Sequence, residues 1–394
     1  MGIDLKDLKK EIRELTPELV ELRRYLHRHP EPGFREVWTG NTMAERLREL
    51  GYEVKSGIAK TGVMGLLRGG KPGKTLLLRA DIDALTIEEK NEIDYRSEQV
   101  GAMHACGHDG HMAIALTVAK ILSRHKDELS GNVKFIFQPA EEGPGGAKPM
   151  IEEGVLKDPK PDRALGLHLW NVLPVGIVGI RPGPTFACLD AIDITIRGKG
   201  GHGAAPHQTV DAIVASAQII TALQTMVSRE VDPIKPAVLS IGTIHGGHAY
   251  NIIANEVKMT GTVRVFDLDL RKTLPERIER IVKGVTSGLR AEYDFEYRFG
   301  YPPLVNDEAV CNWMREIAAG VVGEGNIKVP DPTMGGEDMA YFLEEVPGCY
   351  LLLGSANEEK GLNKPHHNSE FNFDETALPI GVEILARAAL RFLS

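Results

Sequence analysis

Short, strongly apolar runs alternate with helical stretches through the first 185 residues, and this alternation restricts the fold more than any other feature. The runs at 62–68 (GVMGLLR), 75–80 (TLLLRA), 132–138 (NVKFIFQ) and 163–169 (RALGLHL) are too short for most helices. They also lack the polar alternation of a strand with one wet face. Separated by helical segments near 108–124 and 147–154, they predict strands buried on both sides: an α/β fold with a mostly parallel sheet and helices on both faces. After about residue 185 the pattern changes. Strand 190–197 (DAIDITIR) alternates in polarity, and a long helix follows near 209–228. Strands near 236–244 and 255–266, a helix near 269–290 and a strand near 292–299 complete a β-α-β-β-α-β order, the ferredoxin-like arrangement. Residues 305–394 return to helix, strand and helix. The expected organisation is an α/β domain formed by 1–185 and 299–394, interrupted by an inserted α+β domain at 186–298. A chain of 394 residues is long enough for two such cores.

Charge and composition narrow the function. A formal charge of −9 argues against a nucleic-acid partner, because that surface needs clustered Lys and Arg to displace phosphate counterions. No apolar stretch reaches the roughly 20 residues that span a bilayer, so no membrane partner is expected. Residues 1–25 mix charged and apolar side chains at helical spacing, unlike the unbroken apolar run of an export signal. Four scattered cysteines, Cys106, Cys188, Cys311 and Cys349, form no disulfide framework. A reduced, cytoplasmic protein is the simplest expectation.

The densest chemistry lies in MHACGHDGH at 103–111, where Cys106 accompanies His104, His108 and His111 at the start of a predicted helix. Thiolate and imidazole are the donors preferred by zinc and its neighbours. Gly107 and Gly110 are expected to let the backbone turn so that Cys106 and His108 face one point. The same segment also admits a buried thiol beside capping residues, a structural zinc knuckle, or Cys106 as a nucleophile with a histidine base. Strand 132–138 leads into QPAEEG, with adjacent carboxylates at Glu141 and Glu142. The next strand carries His168 in GLHLWN, and KPHHNSEFNFDE supplies His366 and His367. Each feature alone has an ordinary explanation as a solvated loop or a core histidine. Their recurrence at the C-terminal edge of a parallel sheet, where such folds build their sites, favours a shared centre.

Taken together, CGHD, QPAEEG, GLHLWN, GKGGHGAAPH and HHNSEFNFDE resemble the aminoacylase/carboxypeptidase family of dinuclear-metal amidohydrolases. The resemblance is strongest to the branch of hippurate hydrolases, N-acyl-L-amino acid amidohydrolases and auxin-conjugate hydrolases. LHRHPEPGF and LLLRADIDAL also fit, so it covers nearly the whole chain. It implies hydrolysis of the amide bond of N-acyl amino acids or dipeptide-like substrates by water activated by two divalent ions. Zinc is the first choice, with Mn, Co and Ni compatible. Metal ligands are implied at Cys106, His108, Glu142, His168 and His367 rather than His366, and a general base at Glu141. His202 would stabilise the oxyanion from a partner subunit, which implies a homodimer or higher oligomer. Asn251 and Arg264 would hold the substrate. MGGEDMA at 334–340 reads as a glycine loop leading into a helix whose first turn holds Glu337 and Asp338. One departure stands out: where other branches carry His-x-Asp, this chain reads Asp81-Ile82-Asp83, and Cys106-x-His108 takes over the missing coordination. The bridging group between the ions is left open.

Overall fold

The computed structural model describes residues 5–394 and divides into two compact units. One comprises the chain through Gly183 with Val305–Asp331 and Asp338–Ser394; the other comprises Pro184–Leu304 with Pro332–Glu337.

The first unit is built on an eight-stranded sheet ordered Glu53–Ile58, Gly62–Arg68, Ser130–Gln138, Lys71–Asp81, Arg163–Pro174, Gly348–Ala356, Val178–Gly179 and Ile327–Lys328. Ser130–Gln138, Lys71–Asp81, Arg163–Pro174 and Gly348–Ala356 run parallel to one another, which brings their C-terminal ends to one edge. Gly348–Ala356 is buried at every position, as expected of a strand covered on both faces. Gly62–Arg68 is antiparallel to both its neighbours. Its apolar run marked a buried strand but carried no information about direction.

Helix His108–Arg124 is buried at every residue from His108 to Ala119. It packs against Leu5–Arg28, Ala377–Phe392 and strand Lys71–Asp81. Gly110 lies inside this helix instead of in a turn, and its reason is packing: a Cβ there would stand 2.4 Å from Leu169 Cδ1. The first turn is fastened from below by Arg23, which is fully buried and donates to Asp109 at 2.8 Å, Asn372 at 3.0 Å and Glu375 at 3.1 Å. Burial alone would raise the Asp109 carboxyl, but Arg23 and His27 outweigh it and hold it far below the carboxylate range. Replacing Arg23 with Met strands that charge, and the expected loss is about 3–5 kcal/mol of stability. Chemical denaturation checks this; an unchanged midpoint would contradict it.

The second unit contains a four-stranded antiparallel sheet ordered Ala237–Gly246, Glu256–Val265, Leu189–Arg197 and Glu292–Tyr301. Leu189–Arg197 alternates buried and half-buried positions, so Ile192, Ile194 and Ile196 enter the core with Ile219 and Leu223 of helix Ala212–Glu230 and Ile278 of helix Leu268–Leu289. Asp211 and Asp267 cap these helices by accepting backbone N–H bonds. Among the described residues no helix is long and apolar enough to cross a membrane.

Candidate metal centre

The parallel strands deliver polar side chains to one edge of the first unit. Asp81 and Gln138 are register partners at their strand ends, and His168 sits beside Leu352 on the neighbouring pair. Beyond Gln138 the chain turns through Ala140, which has a φ of 53°, into Glu141 and Glu142. Gly107, at a φ of 87°, occupies the left-handed region that glycine adopts without steric cost, and so turns the chain between Cys106 and His108. His367 arrives from the C-terminal segment, its N–H bonded to the Ala105 carbonyl at 2.9 Å.

Donor atoms converge in overlapping groups, each with its members within 4.8 Å of one another: Cys106, His108 and His168; Cys106, Glu142 and His367; and His108, Glu141 and Glu142. Cys106 Sγ lies 3.4 Å from His168 Nε2, and His367 Nε2 lies 3.0 Å from Glu142 Oε1. His108 Nδ1 donates to the Asp83 carbonyl at 2.9 Å and His168 Nδ1 to the Leu169 carbonyl at 2.6 Å, which leaves each Nε2 as the lone-pair donor. His108 Nε2 is buried without a hydrogen-bond partner. A buried imidazole lone pair beside carboxylates fits a cation, and the thiolate–imidazole–carboxylate donor set suits a divalent transition ion.

The electrostatics agree. Burial works against charging His108, but Asp81, Asp83 and Glu142 outweigh it and push its pKa up to about 10, so without a metal the ring holds a second proton, on Nε2, that a bound cation would have to displace. Burial likewise opposes ionisation of Glu142, yet His367 and His108 hold its carboxyl below the usual range. Cys106 is pushed far above an ordinary thiol, first by burial and then by Glu142 and Glu141. Without a cation the thiolate is disfavoured, which counts against Cys106 as a free nucleophile. Burial, then His111 and His366, keeps His168 neutral, as a ligand must be.

The other histidines of the motif have different employment. His111 is fully engaged, with Nδ1 2.6 Å from Asp81 and Nε2 accepting from Leu169 N–H at 2.8 Å. His104 faces His27, with ring centroids 6.5 Å apart. His366 Nε2 donates to the Leu169 carbonyl at 2.9 Å while its ring packs on Trp170. In the second unit, His202 and Asn251 adjoin: Gly201–His202 pairs with Ile252–Ile253, and Gly203 N–H donates to the Asn251 carbonyl at 2.8 Å. Both are exposed. Arg264 is separate from them, half-buried and bonded to Thr262 at 3.0 Å and the Met334 carbonyl at 3.4 Å.

Sequence reasoning missed the supporting carboxylates. Asp83 accepts from Glu142 N–H at 3.0 Å. Asp338 does not serve its own helix. It accepts from Gly146 and Ala147 N–H at 3.0 Å each, from Gln138 at 2.6 Å and from Arg79 at 3.1 Å. The available signal was Arg79 and Asp81 inside an apolar strand, since buried charges require partners.

Residues 77–391 match the sequence profile of peptidase family M20/M25/M40. The chain belongs to this family. As an M20-family protein it is a metal-dependent hydrolase of amide bonds with a dinuclear centre. It is 40% identical over 392 residues to thermostable carboxypeptidase 1 of Saccharolobus solfataricus, covering 98% of both chains. It is 46% identical over 302 residues to the N-acyl-L-amino acid amidohydrolase of Geobacillus stearothermophilus, covering 76% of this chain and 81% of that one. A crystal structure of a dinuclear metal-binding M20 peptidase from Bacillus subtilis superposes with a TM-score of 0.82 at 33% identity, covering 97% and 99% of the two chains.

Proposed function

We propose that this M20-family chain hydrolyses N-acyl amino acids or related small conjugates. In this reading Cys106, His108, Glu142, His168 and His367 hold two divalent ions, and Glu141 is the general base. The observation that carries it is the sharing of Cys106 between two donor groups, one with His108 and His168 and one with Glu142 and His367. Cys106 is thus the residue that would contribute to both donor groups if two ions were bound. Bound ions supply Lewis acidity, making water acidic near neutral pH and the amide carbonyl electrophilic. Glu141 takes the proton from the attacking water and returns it to the leaving amine. Thiolate and imidazole donors favour zinc, with Mn, Co and Ni compatible.

His202 is assigned to the oxyanion. Its Nδ1 accepts from Ala204 N–H at 3.0 Å, so the proton resides on Nε2 of an exposed ring, available as a donor to charge developing on a substrate. Acting from a partner subunit, it would make the second unit a lid and dimerisation domain and the enzyme a homodimer. Asn251 and Arg264 are assigned to substrate binding, with the guanidinium suited to a carboxylate. Four free, buried cysteines support a reducing, cytoplasmic setting. Exhaustive chelation should abolish hydrolysis of a panel of N-acyl amino acids and dipeptides, and added Zn²⁺, Mn²⁺ or Co²⁺ should restore it. Turnover that survives chelation, or no cleavage of any panel member with any metal, would sink this reading.

A further inference from the structure

Glu36 is fully buried and belongs to none of the donor groups. One carboxylate oxygen accepts from Ala140 N–H at 2.8 Å and the other from the Thr61 hydroxyl at 2.7 Å. Ala140 directly precedes Glu141, and its left-handed φ of 53° persists only where neighbours over-determine it. Gly33 presses on the same loop: a Cβ there would lie 2.9 Å from the Gly143 carbonyl oxygen and 3.1 Å from Ala140 Cα and Cβ. Asp338 holds the far end of the loop through Gly146 and Ala147 N–H. Glu142 is fixed separately through Asp83. At Ala140 the N–H donates to Glu36 from outside the loop, while the carbonyl accepts from Gly145 N–H at 2.9 Å and Gly143 N–H at 3.3 Å within it.

We propose that Glu36 is a positioning residue for Glu141, with its hydrogen bond to Ala140 N–H holding the left-handed turn that aims the Glu141 carboxylate. The inference rests on Glu141 being the general base. Glu36 belongs to none of the donor groups, so its effect on the rate is expected to pass through the loop that carries Glu141. Misplacing a reacting group by about an ångström costs on the order of 100-fold in rate.

The test measures kcat, KM and metal content for Glu36→Ala, Glu36→Gln, Gly33→Ala, Glu141→Gln and the double variant Glu36→Ala/Glu141→Gln. Glu36→Ala should lower kcat roughly 10–100-fold with KM and metal content unchanged. Glu36→Gln should recover most of that loss, because its amide oxygen still accepts from Ala140 and its NH₂ can donate to Thr61. Gly33→Ala, which displaces the loop from another side, should lower kcat with the same unchanged KM and metal content. On the Glu141→Gln background, Glu36→Ala should add almost nothing, since residues acting as a unit are non-additive. Unchanged kcat in Glu36→Ala or Gly33→Ala, or full multiplication of the two losses in the double variant, would overturn the proposal. Near-normal activity of Glu141→Gln alone would instead remove the base assignment beneath it. Should Glu36→Ala fail to fold, Gly33→Ala and its combination with Glu141→Gln decide the matter by the same criteria.

Discussion

Glu141→Gln is expected to retain its full metal content while kcat falls by about 10²–10⁴, the range ascribed to general acid–base catalysis. The substitution keeps size and hydrogen-bonding capacity but removes the basic oxygen. None of the five assigned ligands changes, and the loop keeps its anchors at Ala140, Glu142, Gly146 and Ala147. KM should move little if the amide substrate still docks. Steady-state kinetics with elemental analysis of the same sample reads both quantities. Wild-type turnover would reassign the base, and metal loss would make Glu141 a ligand.

Cys106→Ala should have the broader effect, lowering metal content and activity together. Cys106 stands in both donor groups, so removing it leaves His108 and His168 on one side and Glu142 and His367 on the other, each short of a donor. Deprotonating this thiol is opposed by burial, Glu142 and Glu141, so only a strong cation field would make it a thiolate. The expected result is fewer than two ions per chain and activity below detection at ordinary metal concentration. Retention of both ions with normal turnover would show that Cys106 is only a buried thiol.

Much of this centre could be reached from sequence because its parts obey local rules. Apolar runs at 132–138 and 163–169 are strands, and Glu141 and Glu142 follow just beyond the end of the first; His168, expected at the end of the second, lies inside it instead, because that strand runs on to Pro174. What sequence could not supply were facts set by packing at a distance. Gly110 looked like a turn residue but answers to Leu169, 59 positions away. Asp338 looked like a first-turn carboxylate of the helix after it and instead serves backbone N–H groups 191 and 192 positions earlier. Asp83 bonds His108 and the Glu142 N–H, and His111 bonds Asp81 and the Leu169 N–H, and no spacing rule distinguishes such residues from candidate ligands. Glu36 stayed hidden because its partner is a backbone amide, which every residue except proline carries.

The central claim is that Cys106 joins donors from four separate chain segments around a pair of ions. Titrating metal-free protein with Co²⁺, while following thiolate-to-cobalt charge-transfer absorption and hydrolysis together, addresses it most directly. Absorption and activity should rise together and saturate at two ions per chain, with the charge-transfer band absent in Cys106→Ala. Full activity with no charge-transfer band, or saturation at a single ion, would contradict the account.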